Sequence, residues 1–397
     1  MNNELADCAQ DFPALRSIDG APVAYLDSAA TTLKPQSVVE AMCWFLEQGT
    51  SAVHRGVHAR SIEATDRFEA TRERLARWFG ADTDEIVFTT GATAAVNLVR
   101  RGWSPLRRVA VTAMEHHSNF VPWLDVERCD VIPVSPEGTL DLNALEQSLR
   151  AGVDLVAVTH VSNVLGTITD LQTITELSHR HGARVLVDAA QSASHHPPNV
   201  RELDLDFLVC SGHKMLGPSG CGALFVKREL YDNLAPVVLG GNMVDQVSTT
   251  GWTPQAPPQC YEAGTPAIES IIGWGAAVEY LQQHGIAAIQ QQLERLTREL
   301  VNRLEAIPGL TLLGPTDVRR GPLASFHIDG LEAAAIAKIL SQRDRIYVRS
   351  GFHCAQPLHE HLGLRPSVRA SLQIYNSEDD LDRLARTLQS IAKLRMM

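Results

Sequence analysis

Short apolar runs that end abruptly in polar or charged residues recur along the first half of the chain. They are EIVFTT at 85–90, the run at 109–112, LVAVT at 155–159, VLVD at 185–188 and FLV at 207–209, which runs into CSGHK. Unbroken runs of this length, without alternation, are the pattern of strands covered on both faces, as in a parallel sheet between helices. Helical stretches lie between and before them, at 41–46 (opened by Pro35), 61–79, 94–99 and 171–181. A parallel sheet gathers the C-terminal ends of its strands on one edge, where ligands bind. Thr93, His116, Asn163, Asp188 and Lys214 all fall just past such strand ends. Residues 231–260 are rich in Gly, Pro and Gln, and 239–243 read as a mobile flap. A long helical stretch at 267–306 then stops at Pro308. Beyond it, strands are expected near 310–313, 324–328 and 346–349, with helices at 331–341 and 378–394. The pattern predicts an α/β chain: a large domain over 21–266, a linking helix at 267–308 and a small α+β C-terminal domain at 309–397.

Composition narrows the function classes. The 397 residues are 45% hydrophobic and 20% charged, as in ordinary globular proteins with ample core. A formal net charge of −11 argues against nucleic-acid binding. The absence of an 18-residue apolar run argues against a membrane span. The opening MNNELADCAQDFPAL lacks a basic stretch followed by an apolar one, so no secretory signal is expected. The seven cysteines are scattered and never in CxxC spacing, which fits free thiols in a reducing cytoplasm and no metal site.

Against that background a few positions carry chemistry. Lys214, in the SGHK turn after an apolar strand, reads either as a surface lysine or as a desolvated amine fit for nucleophilic work. Asp188 is either a helix cap or a buried carboxylate awaiting a cation. Gly91-Ala92-Thr93 turns a strand into a helix, the geometry that offers backbone N–H groups to a phosphate. His116 can stack or move protons, or be an ordinary loop histidine. His54 and Arg55 lie in a basic loop that either holds an anion or is simply solvated. Cys354, alone among the cysteines, has basic company in Arg349 and His353, which favours the thiolate. Arg369, in a short apolar strand, wants a carboxylate.

An amine, a strand-end carboxylate and a phosphate-binding turn together suit pyridoxal 5'-phosphate. The chain resembles the class V aminotransferases, and among them the cysteine desulfurases of the SufS/CsdA type. The motifs YLDSAATTLKP, VHRGVHARS, EHHSN, SNVLGT, VDAAQ, SGHK, EAGTP, RSGFHCAQP and VRASLQIYN carry the resemblance, in family order, from Tyr25 to Asn376. It implies the PLP-dependent transferase fold type I, with a mixed, mostly parallel sheet in the large domain and residues 1–20 joining the small one. It also implies that Lys214 is the Schiff-base lysine, Asp188 the partner of the ring nitrogen, and Asn163 and Gln191 the holders of the ring oxygen. His116 would stack on the ring and help proton transfer. The phosphate would meet Ala92, Thr93, Ser211 and His213, with Gly264 and Thr265 arriving from a second subunit of a homodimer. Arg369 would bind the substrate carboxylate, with Arg349, His54, Arg55 and Asn163 lining the pocket, and Cys354 would accept the sulfur as a persulfide. The short segment around Cys354 resembles the group whose cysteine loop is ordered. The implied activity is conversion of L-cysteine to L-alanine, with sulfur passed to an acceptor protein for iron–sulfur cluster assembly or other sulfur metabolites. Selenocysteine lyase and cysteine sulfinate desulfinase are the alternatives on the same site, and an inactive cofactor-holding partner protein is the alternative outside catalysis. The chain departs from the family pattern at Ala94, where a glutamate is usual, and at Asn242, where a glycine is frequent. These departures leave open an altered substrate choice or a specialised pathway that uses the sulfur.

Overall fold

The structure, a computed structural model, describes residues 8–15, 22–315 and 320–396. Of the N-terminal segment expected to join the small domain, residues 1–7 and 16–20 lie outside the described residues.

Seven strands make the large sheet, in the order Ile86–Thr89, Gly222–Val226, Phe207–Ser211, Arg184–Asp188, Leu155–Thr159, Arg108–Thr112 and Arg128–Ile132. Gly222–Val226 runs antiparallel to both neighbours, and every other pairing is parallel. The apolar runs are unbroken because the sheet has a core on each face. Val156, Val158, Val185, Val187 and Leu208 enter one core cluster, while Leu155, Ala157, Leu186, Phe207 and Val209 enter the other. Side chains alternate between the faces, and both faces are dry. The polar residues that end these strands therefore emerge together at one edge.

A second, wholly antiparallel sheet is built from Leu310–Leu313, Leu323–Ile328, Ser367–Ser371 and Arg349–Gly351, in that order. Helix Ala333–Asp344 packs on it, and helix Glu378–Met396 packs against that helix. Ala24–Tyr25 pairs in parallel with Ile346–Tyr347, and Asp27 bridges to Ser371. The start of the segment assigned to the large domain is thus hydrogen-bonded to the C-terminal part of the chain. Phe12 meets Tyr280 and Tyr375 edge-on, with centroids 5.8 and 4.7 Å away.

Two elements differ from expectation. The stretch 267–306 is two helices, Ile268–His284 and Ile286–Glu305, broken at Gly285. Gly285 has φ +75°, a conformation that glycine takes at little cost and that ends the first helix. The Gly/Pro/Gln-rich segment holds an antiparallel ribbon, Val244–Val247 with Trp252–Pro254. Most of its residues are exposed, so it buries no apolar face and left no alternation to read.

The segment just after that ribbon is anchored by a buried ion pair. Arg72, on helix Ala59–Phe79, donates from Nη1 to Glu262 Oε1 at 2.6 Å and from Nη2 to Oε2 at 3.0 Å. Glu262 also accepts from the backbone N of Phe88 at 2.7 Å. Replacing Glu262 leaves the buried guanidinium only Glu69 and the Ile86 carbonyl and leaves Phe88 N without its acceptor, so Glu262→Ala is expected to lower unfolding free energy by about 3 kcal/mol. Urea titration of the variant beside the parent chain measures it.

Candidate active site

Where the strand ends of the large sheet face the small sheet, a cavity of about 230 Å³ opens. Its wall includes Ala92, Thr93, His116, Asn163, Asp188, Ser211, His213 and Lys214 from the large sheet's edge. Arg349, Cys354 and Arg369 close it from the other side. Residues more than 250 positions apart in sequence thus meet at one cavity, which gathers eleven of the sixteen predicted site residues, all but Gln191, His54, Arg55, Gly264 and Thr265.

Lys214 ends the short turn Gly212–Lys214 that follows strand Phe207–Ser211. The turn is clamped from behind, because the His213 carbonyl accepts from Thr32 N, Thr32 Oγ1 and Thr31 Oγ1 at 3.0, 3.0 and 3.2 Å. Burial pushes the Lys214 amine down to about 8. It forms no hydrogen bond or ion pair among the described residues, so the amine is held ready for a partner. Asp188 is buried as well, and one of its oxygens accepts from Ala190 N at 2.8 Å. Burial raises its pKa, which marks a carboxylate short of a cation.

Across the cavity, helix Ala92–Gly102 begins at Gly91, whose φ is +150°. Ala92 N donates to Ser211 Oγ at 2.9 Å, and Thr93 Oγ1 meets Ser118 Oγ at 2.7 Å. These N–H and hydroxyl groups at a helix start form an anion cradle. His116 Nδ1 accepts from Ser118 N at 3.1 Å, so the proton of the neutral ring sits on Nε2. Burial, with the nearby Lys214 charge, pushes His116 down to about 3.

The Cys354 segment is strained and tied. His353 and Cys354 take φ of +53° and +56°, unusual for side-chain-bearing residues and costing about 1 to 2 kcal/mol each. Asn163 Nδ2 donates to His353 O at 2.7 Å, and His117 N donates to Cys354 O at 2.7 Å. His117 Nε2 accepts from Gln356 N at 3.2 Å, and the His353 ring meets Ser367 Oγ at 3.0 Å. Cys354 itself is exposed at the cavity wall.

A cofactor with an aldehyde, a protonatable ring nitrogen and a phosphate matches this set. The amine without a partner, the buried carboxylate without a cation and the helix-start cradle answer its three functional groups. Pyridoxal phosphate therefore fits the residues present.

A family model described as aminotransferase class V matches residues 24–384. The chain belongs to the class V aminotransferase family. A cysteine desulfurase of Escherichia coli is 42% identical over 399 aligned positions, covering 97% of each chain. A probable cysteine desulfurase of Halalkalibacterium halodurans is 40% identical over 390, covering 95% of each. Among solved structures, an apo cysteine desulfurase from Thermococcus onnurineus superposes with a TM-score of 0.92 at 35% identity, covering 98% of both chains. The cysteine desulfurase CsdA of E. coli, in an S-sulfonic acid form, gives 0.90 at 34%, covering 99% of both.

Five predicted residues of this class V aminotransferase lie outside the cavity wall. Gln191 lines a small adjoining cavity, and its Nε2 donates to Ala29 O at 2.9 Å. His54 pairs with Glu69 at 2.8 Å, and Arg55, Gly264 and Thr265 are exposed. Sequence reasoning in turn passed over Ser118, which orients His116 and Thr93, and Asp27, which faces both arginines. Each belongs to a motif already recognised, EHHSN and YLDSAATTLKP, but neither residue type signals its partner without the fold.

The phosphate turn depends on one glycine outside every motif. Gly222 lies between Thr89 and Ser211 in the sheet, and a Cβ there would stand 2.5 Å from Gly91 Cα and 2.7 Å from Cys210 O. Both are backbone atoms, so the turn has to move. Gly222→Ala is expected to weaken cofactor retention at least about tenfold, since displaced N–H groups lose charge-assisted bonds. Equilibrium dialysis followed by visible absorption reads the change.

Proposed function

We infer that this chain is a pyridoxal-phosphate-dependent cysteine desulfurase that takes sulfur from L-cysteine onto Cys354 and releases L-alanine. The observation that carries this reading is the convergence of Lys214, Asp188, Cys354 and Arg369 on one cavity, in a chain whose full-length relatives bear that name.

When bound, pyridoxal phosphate supplies an aldehyde for an amine and a ring that withdraws electrons from the substrate Cα. Asp188 would keep the ring nitrogen protonated, and Ala92, Thr93, Ser211 and His213 would hold the phosphate. Arg369 binds the substrate carboxylate, with Arg349 beside it. Burial pushes the Lys214 amine down to about 8, so a large share of it would be neutral at that pH and able to remove the Cα proton. His116, which lines the cavity and is pushed down to about 3 by burial, would face the bound cofactor as a neutral ring. The Cys354 Sγ thiolate would then attack the substrate sulfur: the S–S bond forms, the Cβ–S bond breaks with its electron pair left on carbon, a proton is added at Cβ, and the Lys214 ammonium returns the proton to Cα to complete alanine. Asn163 supports this step by tying the His353 carbonyl, which fixes where Sγ stands.

Cys354 is exposed, so an acceptor thiol from a second protein reaches the persulfide. The homodimer is supported by the four exposed motif residues His54, Arg55, Gly264 and Thr265, which have no role within this chain's own cavity. No helix of the described residues is long and apolar enough to cross a membrane, and the cysteines are free thiols. A reducing, cytoplasmic setting accords with both.

The test is to load the purified protein with pyridoxal phosphate, record its absorption, add L-cysteine with a reductant, and assay alanine and sulfide. Equal amounts of the two support the reading. A loaded protein that gives no alanine, or one that binds no cofactor, overturns it.

A further inference from the structure

The two arginines of the cavity stand directly across from each other. Arg349 and Arg369 are register partners in the antiparallel pairing of Arg349–Gly351 with Ser367–Ser371. Like charges so placed repel, and Arg369 is buried, which adds a desolvation cost. The counter-charge comes from Asp27, whose Oδ1 lies 3.4 Å from Arg369 Nη2 and whose Oδ2 lies 3.8 Å from Arg349 Nη1. A backbone bridge to Ser371, two residues beyond Arg369, holds Asp27 in place.

One carboxylate shared between two guanidiniums satisfies neither. Both distances exceed the ~2.8 Å of a good charge-assisted bond. Arg369 Nη1 donates to Asn163 O at 2.9 Å, but the buried Nε–H has no partner. Burial pushes Arg369 down to about 10 even with Asp27 beside it. Around the carboxylate subsite there are therefore two positive charges and one negative, with Lys214 and Asp188 set aside for the cofactor's aldehyde and ring nitrogen. His353 adds none, because burial drives it down to about 2. The single remaining positive charge is matched by one substrate carboxylate. A second anionic group on the substrate would go uncompensated in a half-enclosed cavity.

We propose that Asp27 is a specificity-determining residue: by cancelling one arginine charge it tunes the carboxylate subsite to amino acids with a single anionic group, favouring L-cysteine over analogues with an anionic side chain such as L-cysteine sulfinate. The proposal rests on the desulfurase reading for its substrates. A unit charge about 6 Å away at an effective dielectric of about 20 changes such a preference by at least about tenfold.

The experiment compares the loaded parent enzyme with Asp27→Asn and Arg349→Gln. Alanine formation gives kcat/KM for L-cysteine and for L-cysteine sulfinate, and calorimetry gives the Kd of two unreactive probes, propionate and succinate. Asp27→Asn is expected to raise the sulfinate-to-cysteine ratio at least about tenfold and to shift the probes toward succinate. Arg349→Gln moves both ratios the other way. If Asp27→Asn changes both substrates by one factor and leaves the probe ratio alone, Asp27 is structural and the proposal is overturned. Should Asp27→Asn not fold, Arg349, half exposed, decides: an unchanged ratio in Arg349→Gln overturns the charge count. A parent enzyme inactive on both substrates sinks the desulfurase reading, and the propionate and succinate measurements still test the charge count.

Discussion

Cys354→Ala is expected to abolish alanine and sulfide release from L-cysteine, lowering kcat by at least about a thousandfold, as loss of a nucleophile does. Cofactor binding stays intact, because the groups answering the cofactor are on the other wall. The size of the effect follows from how the thiol is held. Two successive residues, His353 and Cys354, sit in the left-handed region, a conformation that persists only when neighbours enforce it. The enforcing bonds run to Asn163 and His117, which belong to the strand-end loops of the large sheet. The small sheet thus delivers a thiol whose backbone is fixed by the cofactor wall, and no other cysteine lines the cavity. The readout is alanine by chromatography under single and multiple turnover. Exchange of the Cα proton of L-alanine into deuterated water, which the proposed function assigns to Lys214 and not to Cys354, serves as the control and is expected to persist. Normal alanine formation by the variant would remove persulfide chemistry from the account.

Much of this site was legible because a doubly buried sheet writes itself into sequence as apolar runs with polar ends. Asp188 and Lys214 each close such a run, and their placement at one edge follows from parallel pairing. Arg369 was legible for the same reason in the small sheet, as a cation inside the apolar strand Ser367–Ser371. The pairing across sheets was not. Asp27 meets Arg349 and Arg369 only because Asp27 bridges to Ser371, and nothing in the local spacing encodes a contact over more than 300 residues. Gly222 was unreadable for a related reason: its need for a missing Cβ arises from the Gly91 backbone on the neighbouring element. Strand Gly222–Val226 also reverses direction between two neighbours, and its apolar run gave no sign of that. For Gln191 the motif implies the cofactor's ring oxygen, and the fold adds a contact the motif did not give, from its Nε2 to Ala29 O.

Lys214→Met is expected to have the largest effect of all, removing turnover to background, a loss of roughly ten-thousandfold or more, because the proposed function places attachment and proton abstraction on one amine. The same substitution has a second, opposite consequence for stability. Burial holds the folded-state pKa of Lys214 at about 8, below the ordinary lysine value. Between about pH 8 and 10.5 the unfolded chain therefore binds more protons at this site than the folded one, and stability rises with pH across that window. Below pH 8 the folded, cofactor-free chain carries the whole cost of charging a buried amine, partly offset by Asp188. Methionine fills much of the same volume and carries no charge. The parent is thus expected to gain on the variant as pH climbs from 8 to 10.5, by up to roughly 3 kcal/mol. Urea titrations of both cofactor-free chains at several pH values measure the difference. A difference that stays flat over that window would mean the amine is hydrated in the folded chain, and the neutral base invoked for proton removal at pH 8 would lose its physical ground.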